Sequence, residues 1–196
     1  GGLDYWAFCF YHPKSWDGAD SYNYGWKRYL ASPRRADLNF CLLLQWGHLG
    51  PRDDWAETVG QFVGFFREPT YQRVAGGRPL VYIFNWEYFG KQWGSEDEAR
   101  AAIARLREAS REAGVGDPYI VAQVWSAADG ARYVDLGVAD AIGSYSAHGG
   151  GEHREYPYSD LAAANRWYWE QFRATGRKVV PLVNAGWDGR PRDYGG

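Results

Sequence analysis

Methionine is absent from the chain, even from position 1, where a glycine stands. The lack of a leader segment therefore says nothing about the compartment, which stays unknown. Cysteine is nearly absent as well. Cys9 and Cys41 both fall in apolar, strand-like runs, the usual setting of buried free thiols, and they do not identify a redox compartment. No apolar run approaches the roughly 20 residues needed to cross a bilayer. The longest, LNFCLLLQW (38–46), has the length of a strand. Basic charge is not in excess either: the formal net charge of −2 argues against nucleic acid or an anionic membrane as the main partner.

What is present is aromatic. Eleven Trp and fifteen Tyr exceed what the core of a 196-residue chain needs. The hydrophobic share of 45% belongs to one folded domain, not to a disordered segment. Along the chain, strand-like and helix-like stretches alternate. LDYWAFCFY (3–11), LNFCLLLQW (38–46), RPLVYIFNW (78–86), PYIVAQVW (118–125), DAIGSYS (140–146) and VVPLVN (179–184) read as strands. Between them, helical periodicity predicts helices over 21–32, 53–69, 95–114, about 128–136 and 159–176. The helix over 95–114 has the clearest signals. Ser95 and Glu98 have capping-box spacing, Ile103 and Leu106 continue an apolar stripe, and Gly114 can end it.

Strict alternation implies an α/β fold with a parallel sheet and helical crossovers. Six strands could make a complete doubly wound sheet, or six of the eight units of a (β/α)₈ TIM barrel, which takes about 250 residues. The strand ends favour the barrel. FYHPKSW, LLQWGH, FNWEYF, AQVWS and VNAGWD, and more weakly GSYSAHG, all place aromatic, amide, His or acidic residues just where a strand stops. A doubly wound sheet gathers its ligand groups at one switch point, whereas a barrel collects them from every strand end around one mouth. Residues 1–196 are therefore expected to be a single incomplete barrel domain, lacking at least one unit at each end. Such an open arc has two unpaired edges, so this piece alone is expected to be aggregation-prone and inactive.

A mouth mixing indoles and phenols with amides suits a ligand that has both apolar faces and many hydroxyls, which describes a sugar. The expected substrate contacts are Tyr11, His12, Gln45, Trp46, Asn85, Trp86, Glu87, Trp125, Tyr145, Asn184, Trp187, Asp188 and Arg190. Many of these aromatics could equally pack between barrel and helices. Glu87 and Asp188 are the in-chain candidates for acid–base work, with Lys91 and Arg190 as alternative ion-pair partners for them. His12 and His48 suit either sugar binding or loop hydrogen bonding. The stretch AHGGGEHREY (147–156) lacks helical metal-pair spacing and a phosphate-loop Gly-Lys-Ser/Thr; it reads as a loop over the mouth, and no metal site is expected.

Four stretches, GGLDYWAFCFYH, YLASPRRADLNFCLLLQW, FREPTYQRVAGGRPLVYIF and VVPLVNAGWDGRPR, together resemble the bacterial glycoside hydrolase family 99-like domain. That group includes WbsX-type proteins of polysaccharide gene clusters and is related to endo-α-mannosidases. The resemblance implies a cofactor-free (β/α)₈ enzyme acting on an oligo- or polysaccharide by retaining hydrolysis of an internal α-linkage, of mannose type. It also implies two catalytic carboxylates, with the substrate's own 2-hydroxyl as nucleophile in place of the usual carboxylate.

In the family the carboxylate pair lies in an Asn-Glu-Trp-x-Glu-Gly type motif after the last strand, and this sequence has none. Asn85-Trp86-Glu87 has those letters in another order after another strand, so the role is not carried onto it. The pair is expected beyond Gly196. Two other functions stay open: a glycosyltransferase-like role in polysaccharide assembly, although no phosphate-cradling loop or Asp-x-Asp motif is evident, and a non-catalytic glycan-binding module.

Overall fold

The computed structural model describes residues 2–84, 86–88, 90–147 and 157–184, with the side chains of Trp46 and Glu87 outside the description. Five strands form one parallel sheet: β1 (Tyr5–Phe10), β2 (Asn39–Gln45), β4 (Arg78–Phe84), β5 (Tyr119–Gln123) and β6 (Ala141–Gly143). They lie side by side in chain order, β1-β2-β4-β5-β6. The two-residue β3 (Arg73–Val74) adds an antiparallel hairpin to the start of β4. A doubly wound sheet would reverse direction at a switch point. This order never reverses, so it is the order of successive units of a (β/α) barrel, left open.

The alternation along each strand sorts its side chains. Phe8, Phe10, Phe40, Val124 and Ile142 point outward to the helices. Phe8 packs on Tyr29 of α1 (Tyr24–Ala31), and Phe10 and Phe40 pack on Phe62 and Phe65 of α2 (Trp55–Phe66). Helix α3 (Glu96–Glu112) is tied to α2 by the Trp55 indole, which donates to the Ala102 carbonyl at 3.1 Å. Helix α4 (Ala127–Asp135) comes so close to the sheet that a Cβ on Gly130 would stand 2.9 Å from both Val124 and Ile142. Only glycine allows that approach.

The opposite face carries Tyr5, Cys41, Tyr82 and Val121. Tyr5 pairs with Asn39 and Tyr82 with Leu43, so they stand two strands and four residues apart, roughly 16 Å between Cα atoms in a flat sheet, yet their hydroxyls meet at 2.7 Å. They lean together over β2, as inner side chains do when a sheet curls. Cys9 and Cys41 are both free thiols, and burial raises the pKa of each.

Helix boundaries fall close to the periodicity. Ser95 accepts from the Glu98 N–H at 3.2 Å, a cap that contributes about 1 kcal/mol. Ser126 caps α4 in the same way through Asp129. Two expectations change. Arg73–Val74 is an unforeseen strand, and the expected sixth strand is reduced to a single bridge, Ile142 to Val179, flanked by hydrogen bonds from Ile142 to Lys178 and from Val180 to Ile142. Pro181 has no N–H to donate, which restricts such a run to a sheet edge. Helix α5 (Tyr158–Ala174) follows β6, and its Trp169 indole donates to the Leu182 carbonyl at 2.6 Å.

Candidate functional site

The two ends of the sheet differ in chemistry. Where β4, β5 and β6 begin, Arg78 and Arg107 are interleaved with Asp117 and Asp140. Asp140 accepts from Arg78 at 2.7 Å, from Arg107 at 2.9 Å and from the Ile120 N–H at 2.9 Å. Burial pushes its carboxyl up, but the Ile120 bond and the two guanidinium groups outweigh burial and hold it below the usual carboxylate value. These charges brace the amino ends of the strands.

At the carboxyl ends the inward positions are aromatic and amide. Tyr11 lies just past β1, Gln45 ends β2, Phe84 ends β4 and Gln123 ends β5. The Gln45 amide donates to the Tyr11 hydroxyl at 3.1 Å. Burial pushes the Tyr11 phenol up to about 12, so it stays protonated at neutral pH. Gln45 lies opposite Phe84 in register. Tyr145 stacks on Phe84 with centroids 4.5 Å apart, and Trp125 meets the same ring edge-on at 5.9 Å. Trp125 and Tyr145 are 39% and 43% exposed, so this group opens to solvent.

A second aromatic group flanks Tyr11. Trp16 and Tyr22 meet it at 5.4 and 5.6 Å, and the His48 ring lies 4.8 Å from Trp16. Burial lowers the His48 pKa, which favours the neutral imidazole. Across the carboxyl ends the order is therefore Tyr11, Gln45, Phe84 and Gln123, rings alternating with amides. This row has stacking surface and neutral donors and acceptors, the chemistry that holds a polyol.

Tyr11, Gln45, Trp125 and Tyr145 among the expected residues are thus brought together. His12 is placed elsewhere. It is buried against Gly50 on the helix side, its Nδ1 accepting from the Lys14 N–H at 3.2 Å, near Asp54 and Glu57. Trp86 is also fully buried. Its indole donates to the Ile83 carbonyl at 2.5 Å and stacks on Tyr133 of α4. Asn184 ties loop to helix: its Nδ2 donates to the Ala147 carbonyl at 2.8 Å, and its N–H to Asn165 of α5 at 3.3 Å. Asn85, Trp187, Asp188 and Arg190, the side chains of Trp46 and Glu87, and most of the 147–156 loop lie outside the described residues.

Phe84, Gln123, Trp16 and Tyr22 join the site without having been singled out. Counting in twos back from Trp125 reaches Gln123, and from Tyr82 forward reaches Phe84, so the signal for those two was present. Trp16 and Tyr22 come from a loop and a short 3₁₀ turn (Ala19–Asn23), where no periodicity marks them. Among the described residues no group of three or more His, Cys, Asp or Glu could hold a metal ion, and no helix is long and apolar enough to cross a membrane. A cavity of about 550 Å³ between α1 and α2, edged by Trp26 and Phe65, lies on the helical side.

No protein-family model and no curated protein matches the chain. Two solved structures of a GH99 endo-alpha-mannosidase from Bacteroides thetaiotaomicron are similar to it in fold. One, in complex with BIS-TRIS-Propane, has a TM-score of 0.58 and 14% identity over 98% of this chain and 55% of its own. The other has a TM-score of 0.56 and 14% identity over 95% of this chain and 51% of its own. The chain spans about half the length of these structures. At that identity the likeness is one of architecture, that of a (β/α) barrel.

Proposed function

We propose that the chain forms the sugar-binding part of a glycan-active (β/α)₈ enzyme, a retaining, endo-acting glycoside hydrolase on an α-linked, mannose-type oligo- or polysaccharide. The observation that carries this reading is the row of amides and aromatic rings, Tyr11, Gln45, Phe84 and Gln123 with Trp125 and Tyr145 packed on Phe84, at the carboxyl ends of the strands, where barrel enzymes bind their substrates. The barrel likeness to an endo-alpha-mannosidase supports the choice of reaction class.

In this reading these residues hold sugar units in register, and positioning of that kind can supply several kcal/mol of the barrier reduction. One carboxylic acid protonates the leaving oxygen as its bond to the anomeric carbon breaks, while a second, as base, takes the proton of the substrate's 2-hydroxyl, which bonds to that carbon; water then opens the anhydro sugar with the protons returning the other way, so the configuration is retained. Those carboxylates belong to parts of the protein beyond the matched segment, with Glu87 and Asp188 as weaker candidates within it. The test is incubation of the full-length protein with α-mannan-type oligosaccharides and assay of new reducing ends. Release without any added sugar nucleotide is expected. Turnover that requires a sugar nucleotide would move the protein to the transferases.

A further inference from the structure

Gln123 ends β5 on the inward face, paired in register with Gly143 of β6 and one step past the Ile83–Ala122 pair, beside Phe84. Its Oε1 is buried and has no hydrogen-bond partner among the described residues. The contrast with β2 is direct: the amide of Gln45, which ends that strand, is bonded to Tyr11. Buried side-chain amides in folded proteins are nearly always paired, because desolvating a donor and an acceptor without return is costly. This open acceptor lies beside Phe84, on which the part-exposed rings of Trp125 and Tyr145 pack, so a bound molecule resting on those rings can reach it.

We infer that Gln123 is a sugar-hydroxyl receptor. Its Oε1 accepts from one hydroxyl of a vicinal diol and its Nε2 donates to the next, while the Trp125 and Tyr145 rings take the C–H face of the same sugar. An amide offers one donor side and one acceptor side and no charge, which matches an uncharged diol better than an ammonium or a carboxylate. The inference rests on the glycan reading above and adds to it the residue that reads the hydroxyls.

The experiment compares full-length wild type with Q123L and Q123M, recording calorimetric affinity for α-mannan-type oligosaccharides and the melting temperature of each unliganded protein. An apolar side chain of similar size removes a buried unpaired acceptor. The expected result is an affinity weaker by about tenfold with a melting temperature unchanged or raised. Methionine, unbranched like glutamine, serves where leucine's branch does not fit. Variants that bind as tightly as wild type would overturn the role of Gln123 and leave the glycan reading intact. Loss of affinity together with a lowered melting temperature in both variants would make the amide structural and overturn the role as well. A wild type that binds no such glycan would overturn both readings.

Discussion

The Trp86 indole lies over the Tyr133 ring with centroids 4.6 Å apart, and the Tyr133 hydroxyl donates back to the Trp86 carbonyl at 3.1 Å. One pair therefore anchors the turn after β4 to helix α4, through both faces and one hydrogen bond. Removing only the hydroxyl, in Tyr133→Phe, is expected to cost about 1 kcal/mol, since it leaves a buried carbonyl with one partner fewer. Urea denaturation of the variant against wild type measures it, and an unchanged midpoint would sever the link between turn and helix.

At the other end of the sheet, Asp140 is the acceptor that two arginines and a backbone N–H share. Asp140→Ala removes one of the two carboxylates paired with Arg107, whose side chain is 12% exposed and keeps Asp117, together with the acceptor for Arg78 and the Ile120 N–H, and a loss of about 2 kcal/mol is expected. The folded carboxyl is held below its ordinary value. Its contribution is thus complete above about pH 4 and disappears as pH falls through the unfolded value towards the folded one. Acid unfolding should therefore shift to higher pH in Asp140→Asn, which cannot ionise.

The same sign governs His12, from burial and not from ion pairing. Burial holds its imidazole below 6.5, against the pull of Asp54 and Glu57 and with the push of Lys14. Below about pH 6.5 the unfolded chain takes up a proton that the folded one refuses, so stability is full above that pH and declines beneath it. Asn in place of His12 keeps an acceptor for the Lys14 N–H and cannot titrate. Stability measured at several pH values from about 5 to 8 should fall less on the acid side in His12→Asn than in wild type. His48 titrates with the same sign in both proteins.

The glycine beneath that ring makes a sharper test. Gly50 has a φ of +86°, and a Cβ there would lie 2.5 Å from the His12 ring. Gly50→Ala combines backbone strain with a clash and should destabilise by about 2 kcal/mol or more. Adding His12→Ala should recover the part due to the clash, which a double-mutant cycle isolates.

At the mouth, Trp125→Ala should weaken glycan binding by about tenfold while changing stability little, because the indole is 39% exposed. Titration calorimetry and thermal melts of the same preparation separate the two effects. A stability loss as large as the binding loss would place the indole in the core instead.

The strand–helix alternation and the Ser95 cap were legible because both are written locally, in periodicity and in residues three apart. The mouth was legible only in part, because it was sought by residue type at strand ends and not by side of the strand. Tyr11 and His12 are adjacent in sequence and face opposite ways, so the alternation that brings Tyr11 to Gln45 delivers His12 to Gly50. Trp86 escaped for another reason. The strand stops at Phe84, and the 3₁₀ turn from Trp86 to Tyr88 aims the indole at α4, which no strand rule anticipates. Gln123 lies within the AQVWS stretch, where Trp125 stood out by residue type although Gln123 is the position that ends the strand on the inward face.

The unreversed strand order has a consequence for how this chain comes to be folded. Each strand's neighbour in the sheet is the next long strand to be synthesised, so no unit has to wait for a distant stretch of chain before it can pair. A chain emerging from the ribosome can dock β2 on β1, then β4 on β2, each addition closing a loop of moderate length. The Tyr5–Tyr82 hydroxyl bond is the first link that skips a strand, and it can form only once the third large strand has arrived. It would report, in a folding experiment, the moment at which a growing ribbon begins to bend into a wall.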